Sequence, residues 1–450
     1  MRHLIIFLIA MLFVSAQEAE TAVNNLAPAP PMGWNSWDCF GTTVTEDEVK
    51  ANADYMAEKL SQYGWQYIVV DIQWYEPNAK AHGYRENAEL ITDEYGRLLP
   101  ASNRFPSSEG GKGFKSLADY IHNLGLKFGI HIMRGIPKQA VRQNLPVKGT
   151  DLHARDIADT NSVCPWNTDM FGVRADTPGG QAYYDSIVEL YKEWGVDYIK
   201  ADDMAALNGH KADENRLNEI KALHNAIVKN GRPIVLSLSP GPASVEQADF
   251  LAENAQLWRI SDDFWDKWTD ILKQFDYMRE WQNHIGPASW PDADMLPIGK
   301  IGIRAERGEN RFTHFTEDEQ YTLITLWSMF RSPLMFGGNL PGNDDFTLSL
   351  ITNGEVMAVN QNSSNNREVY NKDGIVIWTA NVPNSDDIYA AVFNINDESK
   401  SIALPWENFG IENNTYGVRD LWTKTELGEI TDSISFDINA HGAKLIKLTH

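Results

Sequence analysis

Four short apolar runs in this chain each end in carboxylates: Asp71-Ile72-Gln73-Trp74, Lys200-Ala201-Asp202-Asp203, Arg259-Ile260-Ser261-Asp262-Asp263 and Asp292-Ala293-Asp294-Met295. A single Asp after a strand often serves only as a helix N-cap. Several converging on one mouth are different, because clustered carboxylates repel and desolvate one another, a cost usually retained where function or a metal requires it. Calcium would need closely spaced oxygen ligands in one loop, and no Asp-x-Asp-x-Asp-Gly spacing occurs. There is no His/Cys cluster for zinc, no Gly-x-Gly-x-x-Gly after a strand and no Gly-x-Ser-x-Gly elbow. No metal or cofactor is therefore expected, and two carboxylates facing a neutral sugar fit the pattern best.

The elements that must position these groups alternate. Candidate strands at Met32–Trp34, Tyr67–Trp74, Lys127–Arg134, Tyr198–Met204, Pro233–Pro240, Leu257–Ser261, near Ser289 and at Pro333–Gly337 are separated by stretches of helical periodicity such as Glu46–Tyr63, Gly113–Leu124, Gly180–Trp194 and Asn215–Asn230. Glycine follows these stretches at Gly64, Gly125, Gly195 and Gly231, where a left-handed cap ends a helix. Eight such strand units, with helix, glycine and strand recurring between them, predict a (β/α)8 TIM barrel over residues 31–353, whose catalytic groups stand at the C-terminal ends of the strands. From about Gly354 short alternating runs separated by Asn, Asp, Gly and Pro predict a C-terminal antiparallel β-sandwich over 354–450. Residues 17–30 form a polar, Ala/Pro-containing lead-in.

Residues 1–16 read as a cleaved signal peptide: Met1-Arg2-His3, an apolar core of eleven residues from Leu4 to Val14, then Val14-Ser15-Ala16. That core is short for a bilayer crossing, which takes roughly twenty residues, and no later stretch approaches that length. A secreted or periplasmic protein without a membrane span is expected. The net charge of −23 argues against nucleic-acid binding and favours a neutral carbohydrate partner over an acidic one. With two cysteines, Cys39 and Cys164, the chain has no disulfide framework, and a single bridge between them stays open in an oxidising compartment.

Pro31-Met32-Gly33-Trp34-Asn35-Ser36-Trp37, Val70-Asp71-x-x-Trp74, Tyr198-Ile199-Lys200-x-Asp202, Trp258-Arg259 with Asp263, and Asp292-x-Asp294-Met295 together resemble the α-galactosidase (melibiase) family, glycoside hydrolase family 27. Val418-Arg419-Asp420-Leu421-Trp422 and His441-Gly442-Ala443 resemble its sandwich domain. The resemblance implies a retaining exo-glycosidase with Asp202 as nucleophile and Asp263 as general acid/base. It puts Asp71, Lys200, Arg259 and Asp294 on sugar-binding positions and Trp37 on the aromatic wall. Asp203 and Asp262 are the rivals; neighbours along a strand point to opposite sides, so one of each pair can face the substrate.

Four departures from the family's pattern stand out. Ile72 stands where α-galactosidases have a second Asp that is similar to a clamp on O4 and O6, and its apolar side chain suits β-L-arabinopyranose, which shares the ring stereochemistry of α-D-galactopyranose but lacks the C6 hydroxymethyl. Ser239 replaces a Glu near the 2-hydroxyl and resembles the α-N-acetylgalactosaminidases. His131, in His131-Ile132-Met133-Arg134-Gly135, takes the place of a Tyr-Ala-Asp pattern, either as a ligand-facing donor or as a core histidine, and Met204 removes the half-cystine that often follows the nucleophile. α-Galactosidase, β-L-arabinopyranosidase and α-N-acetylgalactosaminidase all stay open. A catalytically inactive sugar-binding protein would lack one of the two carboxylates.

Overall fold

The computed structural model describes residues 26–206, 213–305 and 307–450; the leader-like segment 1–16 and most of the lead-in lie outside them. Runs such as Tyr67-Ile68-Val69-Val70 are buried throughout, as parallel strands covered on both faces require. Among the described residues eight such strands form one parallel sheet: β1 (Met32–Asn35), β2 (Tyr67–Val70), β3 (Lys127–Met133), β4 (Tyr198–Asp202), β5 (Val235–Leu238), β6 (Leu257–Arg259), β7 (Trp290–Asp292) and β8 (Leu334–Phe336). Their order is β7-β6-β5-β4-β3-β2-β1-β8. The ring closes just past β7, where Leu296 N donates to Met335 O (2.8 Å) and Gly337 N to Leu296 O (3.0 Å).

The outer helices are α1 (Glu46–Tyr55), α2 (Lys115–Asn123), α3 (Pro178–Trp194), α4 (Asp213–Asn230), α5 (Ala248–Asn254), α6 (Trp268–Trp281), α7 (Glu317–Phe330) and α8 (Gly354–Asn362). Local chemistry sets their ends. Thr45 N donates to Glu48 Oε2 at the start of α1 (3.0 Å), Gly180 N donates to Thr177 Oγ1 at the start of α3 (3.1 Å), and Gly195 ends α3 at φ 83°.

Two boundaries differ from expectation. The β2 ladder stops at Val70 instead of running to Trp74, because Asp71 N donates to Ser36 Oγ (2.9 Å) and Ile72 N to Asp71 Oδ1 (2.8 Å), so side chains replace the ladder partners. Residues 354–362, expected in the sandwich, are α8: Asn353 Oδ1 accepts from Glu355 N and Val356 N (3.1 and 3.4 Å) and starts a helix where the glycine reads as a turn.

The sandwich strands are β9 (Ser364–Lys372), β10 (Ile375–Asn381), β11 (Ile388–Asn394), β12 (Lys400–Pro405), β13 (Thr415–Asp420), β14 (Thr425–Thr431), β15 (Ser433–Ile438) and β16 (Ala443–Thr449). A six-stranded sheet in the order β9-β10-β11-β16-β13-β14 faces the pair β12-β15. Alternation along β10 joins the two domains. Ile375 and Ile377 enter the sandwich core, while Val376 and Trp378 enter the barrel core, where Trp378 meets Phe330 of α7 edge-on. No helix among the described residues is long and apolar enough to cross a membrane.

Candidate active site

The strand ends meet in a cavity of about 240 Å³ lined by Trp37, Asp71, Ile72, Lys200, Asp202, Ser239, Arg259, Asp263 and Asp294. That is below the roughly 300–1,000 Å³ of drug-sized sites, as a pocket for one sugar ring should be. Nine of the ten residues singled out from sequence thus share one cavity. His131 does not line it: fully buried on β3, it stands behind Asp202 and cannot touch a ligand directly.

Asp202, the last residue of β4, is held on both oxygens. His131 Nε2 lies 3.0 Å from Oδ2, and Ser239 Oγ donates to Oδ1 at 3.0 Å. A carboxylate only accepts, so Nε2 carries the proton. Burial pushes the Asp202 carboxyl up, but the hydrogen bond and charge of His131, with the charge of Lys200, outweigh it and hold Asp202 below its ordinary value. The group is therefore ionised at neutral pH, as a nucleophile must be. A depressed folded-state value places the loss of the ionised form on the acid side. His131→Ala should then move the acid limb of the kcat/KM–pH profile upward and leave the alkaline limb in place. An unmoved acid limb with a lower Tm would make His131 a packing residue only.

Lys200 Nζ donates to Asp71 Oδ2 (2.8 Å), which also accepts from Asn35 Nδ2 (2.8 Å). Burial pushes the Asp71 carboxyl up; the charge of Lys200 and of His131 overrides this and brings it to about 2. Asp71 is thus a fixed anion beside Ile72, whose side chain reaches the cavity and is 1% exposed.

On the opposite wall Arg259 Nη1 pairs with Asp294 Oδ1 at 2.7 Å, and its Nη2 lies 3.6 Å from Asp263 Oδ1. Asp294 sits at φ 84°, and its Oδ2 accepts from Phe264 N (2.8 Å). Burial raises its carboxyl to about 6 against the pull of Arg259, with Asp263 and Asp292 adding to the rise.

Of the two rivals, Asp203 points away from the cavity. Asp203, at φ 61°, turns its carboxylate away to Arg134 Nη2 (2.7 Å) and Arg216 Nη2 (2.9 Å). Asp262, like Asp263, is exposed and lines the cavity, and its Oδ1 accepts from Asp263 N (2.8 Å). Cys39 and Cys164 are both free and buried.

Sequence reasoning missed several lining residues. Asp38 follows Trp37 and is 2% exposed, with an Oδ2 that has no hydrogen-bond partner. Burial, with the charge of Asp294, pushes its carboxyl well up. A Cβ on Gly337 would stand 1.8 Å from that Oδ2, so the glycine leaves the room the carboxyl fills. Asp38 was detectable from its place at the end of the first strand unit. Tyr84, Trp166, Trp265 and Arg307 also line the cavity but come from connections without periodicity. Among the described residues no group of three His, Cys, Asp or Glu side chains is placed to hold a metal ion.

A (β/α)8 barrel whose strand ends bring paired carboxylates and an aromatic wall to a one-ring pocket has the groups that glycoside hydrolysis uses. The model for alpha galactosidase A matches residues 29–174 and 166–362, and that for the alpha galactosidase C-terminal β-sandwich domain matches 372–448. The chain belongs to the α-galactosidase family, glycoside hydrolase family 27, and is a glycosidase. It is similar to the GH27 β-L-arabinopyranosidase of Geobacillus stearothermophilus, with 53% identity over 95% of this chain and 98% of that one and a TM-score of 0.92. A Bacillus halodurans protein named as a candidate α-N-acetylgalactosaminidase is 50% identical over 93% of this chain and 97% of that one, with a TM-score of 0.84. The α-galactosidase of Cyamopsis tetragonoloba is 28% identical over 95% of this chain and 88% of its own.

Proposed function

We propose that this glycosidase prefers terminal β-L-arabinopyranosyl residues over α-D-galactopyranosyl ones and cleaves them by double displacement. Asp202 attacks C1 as Asp263 gives its proton to the departing glycosidic oxygen, forming an Asp202–C1 ester bond as the C1–O bond breaks. Asp263, now a base, takes a proton from water; the water oxygen attacks C1 and releases Asp202. Asp71, Lys200, Arg259 and Asp294 bind hydroxyls, and Trp37 meets the ring's C–H face.

The observation that carries the sugar preference is Ile72 lining the cavity beside the anionic Asp71. An isoleucine leaves a buried O6 without an acceptor, at a cost of about 1–3 kcal/mol, yet packs well where C6 is missing. The likeness to the Geobacillus stearothermophilus β-L-arabinopyranosidase supports the same reading. Ser239, the residue that resembles α-N-acetylgalactosaminidases, spends its hydroxyl on Asp202, which links it to the nucleophile more than to an N-acetyl pocket. Both carboxylates line the cavity, which speaks against an inactive sugar-binding protein. The leader-like residues 1–16 support export.

Nitrophenyl glycosides of the two sugars, hydrolysed side by side by wild type and by Ile72→Asp, test the preference. Wild type should favour the arabinopyranoside, and the substitution should raise the galactoside-to-arabinopyranoside ratio of kcat/KM by about tenfold or more. A lowered Tm with an unchanged ratio would instead mean that a buried unpaired carboxylate had only destabilised the barrel.

A further inference from the structure

The carboxylate of Asp202 has a third donor besides His131 and Ser239. Asp203 N donates to Asp202 Oδ1 at 3.1 Å, so that oxygen accepts from the next residue's backbone as well as from Ser239 Oγ. An amide N–H points where its planar peptide points, so this contact requires the peptide between Asp202 and Asp203 to stand at one angle. Asp203 holds the left-handed region at φ 61°, a conformation that a residue with a side chain keeps where its surroundings over-determine it.

Arg134, just past the end of β3, supplies those surroundings. Its backbone N donates to Asp202 O at 3.0 Å and its Nε to Asp203 O at 3.1 Å, so one residue fixes the two peptides on either side of the Asp203 Cα. The guanidinium also closes on Asp203 Oδ2, from Nε at 2.9 Å and Nη2 at 2.7 Å. Its far side is anchored: Nη1 donates to Glu219 Oε1 on α4 at 2.6 Å, and Glu219 Oε2 accepts from the Tyr184 hydroxyl on α3 at 2.5 Å. Arg216 Nη2 takes the other carboxylate oxygen of Asp203 at 2.9 Å.

Arg134, Asp203 and Glu219 are buried, and none of them lines the cavity. Stability alone does not account for such a set, because removing charges from water costs about as much as their attraction returns, and packed apolar side chains in their place are often as stable. What the ion pairs add is direction. A planar guanidinium carries its donors at fixed angles, and here those angles set where the Asp203 peptide stands.

We propose that Arg134 is a positioning residue for the nucleophile: anchored by Glu219, it fixes the turn at Asp203 and so aims the Asp203 N–H at Asp202 Oδ1. The proposal rests on Asp202 being the group that attacks C1. With His131 on Oδ2 and with Ser239 and the Asp203 amide on Oδ1, the carboxylate is oriented by three donors, one of them placed by a residue outside the pocket. Loosening that donor lets the attacking oxygen turn from its line to C1 while the groups that bind the sugar stay in place.

The test uses Arg134→Lys, which keeps the charge and loses the fork, and Arg134→Met combined with Glu219→Gln, which removes one positive and one negative charge together and leaves Asp203 paired with Arg216. For each, the rate at which the 2-deoxy-2-fluoro glycosyl fluoride of the preferred sugar labels Asp202 is measured beside the Kd of the free sugar and the Tm. Both variants should label about tenfold or more slowly with the Kd changed by less than about twofold, and the double variant should do so with its Tm close to that of wild type. Labelling at the wild-type rate, or a slower rate matched by an equal loss of sugar affinity, would make the cluster a support of the fold and overturn the proposal. If the double variant does not fold, Arg134→Lys decides by the same two readings. A wild-type adduct on a residue other than Asp202 would overturn the nucleophile reading and this proposal with it, whereas wild-type labelling of Asp202 with unslowed variants overturns this proposal alone.

Discussion

Asp202→Asn is expected to lower kcat on every glycoside by about 10⁴-fold or more, because a neutral amide cannot form the ester bond to C1 that the first displacement requires. The structure sharpens the expectation. Asp202 accepts from both His131 and Ser239, and an amide could accept on its oxygen only, so one of these donors would be left facing an NH₂. Leaving-group ability should not soften the loss, since the missing group is the one that attacks. Azide supplied as an external nucleophile would attack C1 once and give a glycosyl azide of inverted configuration. Activity near wild type, or rescue with retained configuration, would remove Asp202 from the nucleophile's role.

The second large effect depends on what leaves. Asp263→Ala removes the proton donor, and general acid catalysis contributes roughly 10²–10⁴-fold where the leaving oxygen is basic. A disaccharide, whose departing sugar hydroxyl needs that proton, should lose activity in this range. A dinitrophenyl glycoside needs little protonation, so its burst of dinitrophenolate should fall by less than about tenfold, with the later hydrolysis of the intermediate becoming rate-limiting. Pre-steady-state release of dinitrophenolate beside steady-state disaccharide hydrolysis separates the two steps. Equal loss on both would assign Asp263 a structural role and turn attention to Asp262 next to it.

The barrel was legible because parallel strands and amphipathic helices have separate periods, and because glycines such as Gly195 mark the helix ends. Strand ends carrying Asp71, Asp202 and Asp294 were legible for the same reason: in this fold, position along a strand predicts position at the mouth. Less was visible where side chains override the pattern. Ser36 and Asp71 take over hydrogen bonds that would have continued β2, and Asn353 caps a helix where the residues from 354 onward read as sandwich. Tyr84 and Trp166 lie in connections with no repeat, so only three-dimensional proximity assigns them to the cavity. His131 could be read two ways until its Nε2 was found 3.0 Å from Asp202, because sequence gives the strand it occupies but not which side chain it meets across the neighbouring strand.

The most direct measurement of the central claim is to trap the covalent intermediate. The enzyme is incubated in parallel with 2-deoxy-2-fluoro-β-L-arabinopyranosyl fluoride and its α-D-galactopyranosyl counterpart, and the adduct is followed by intact mass and located by peptide mapping. One glycosyl adduct per chain is expected, carried on Asp202 and accumulating faster with the arabinopyranosyl reagent. An adduct on Asp203 or Asp262, no adduct with either reagent, or faster trapping by the galactosyl reagent would contradict it.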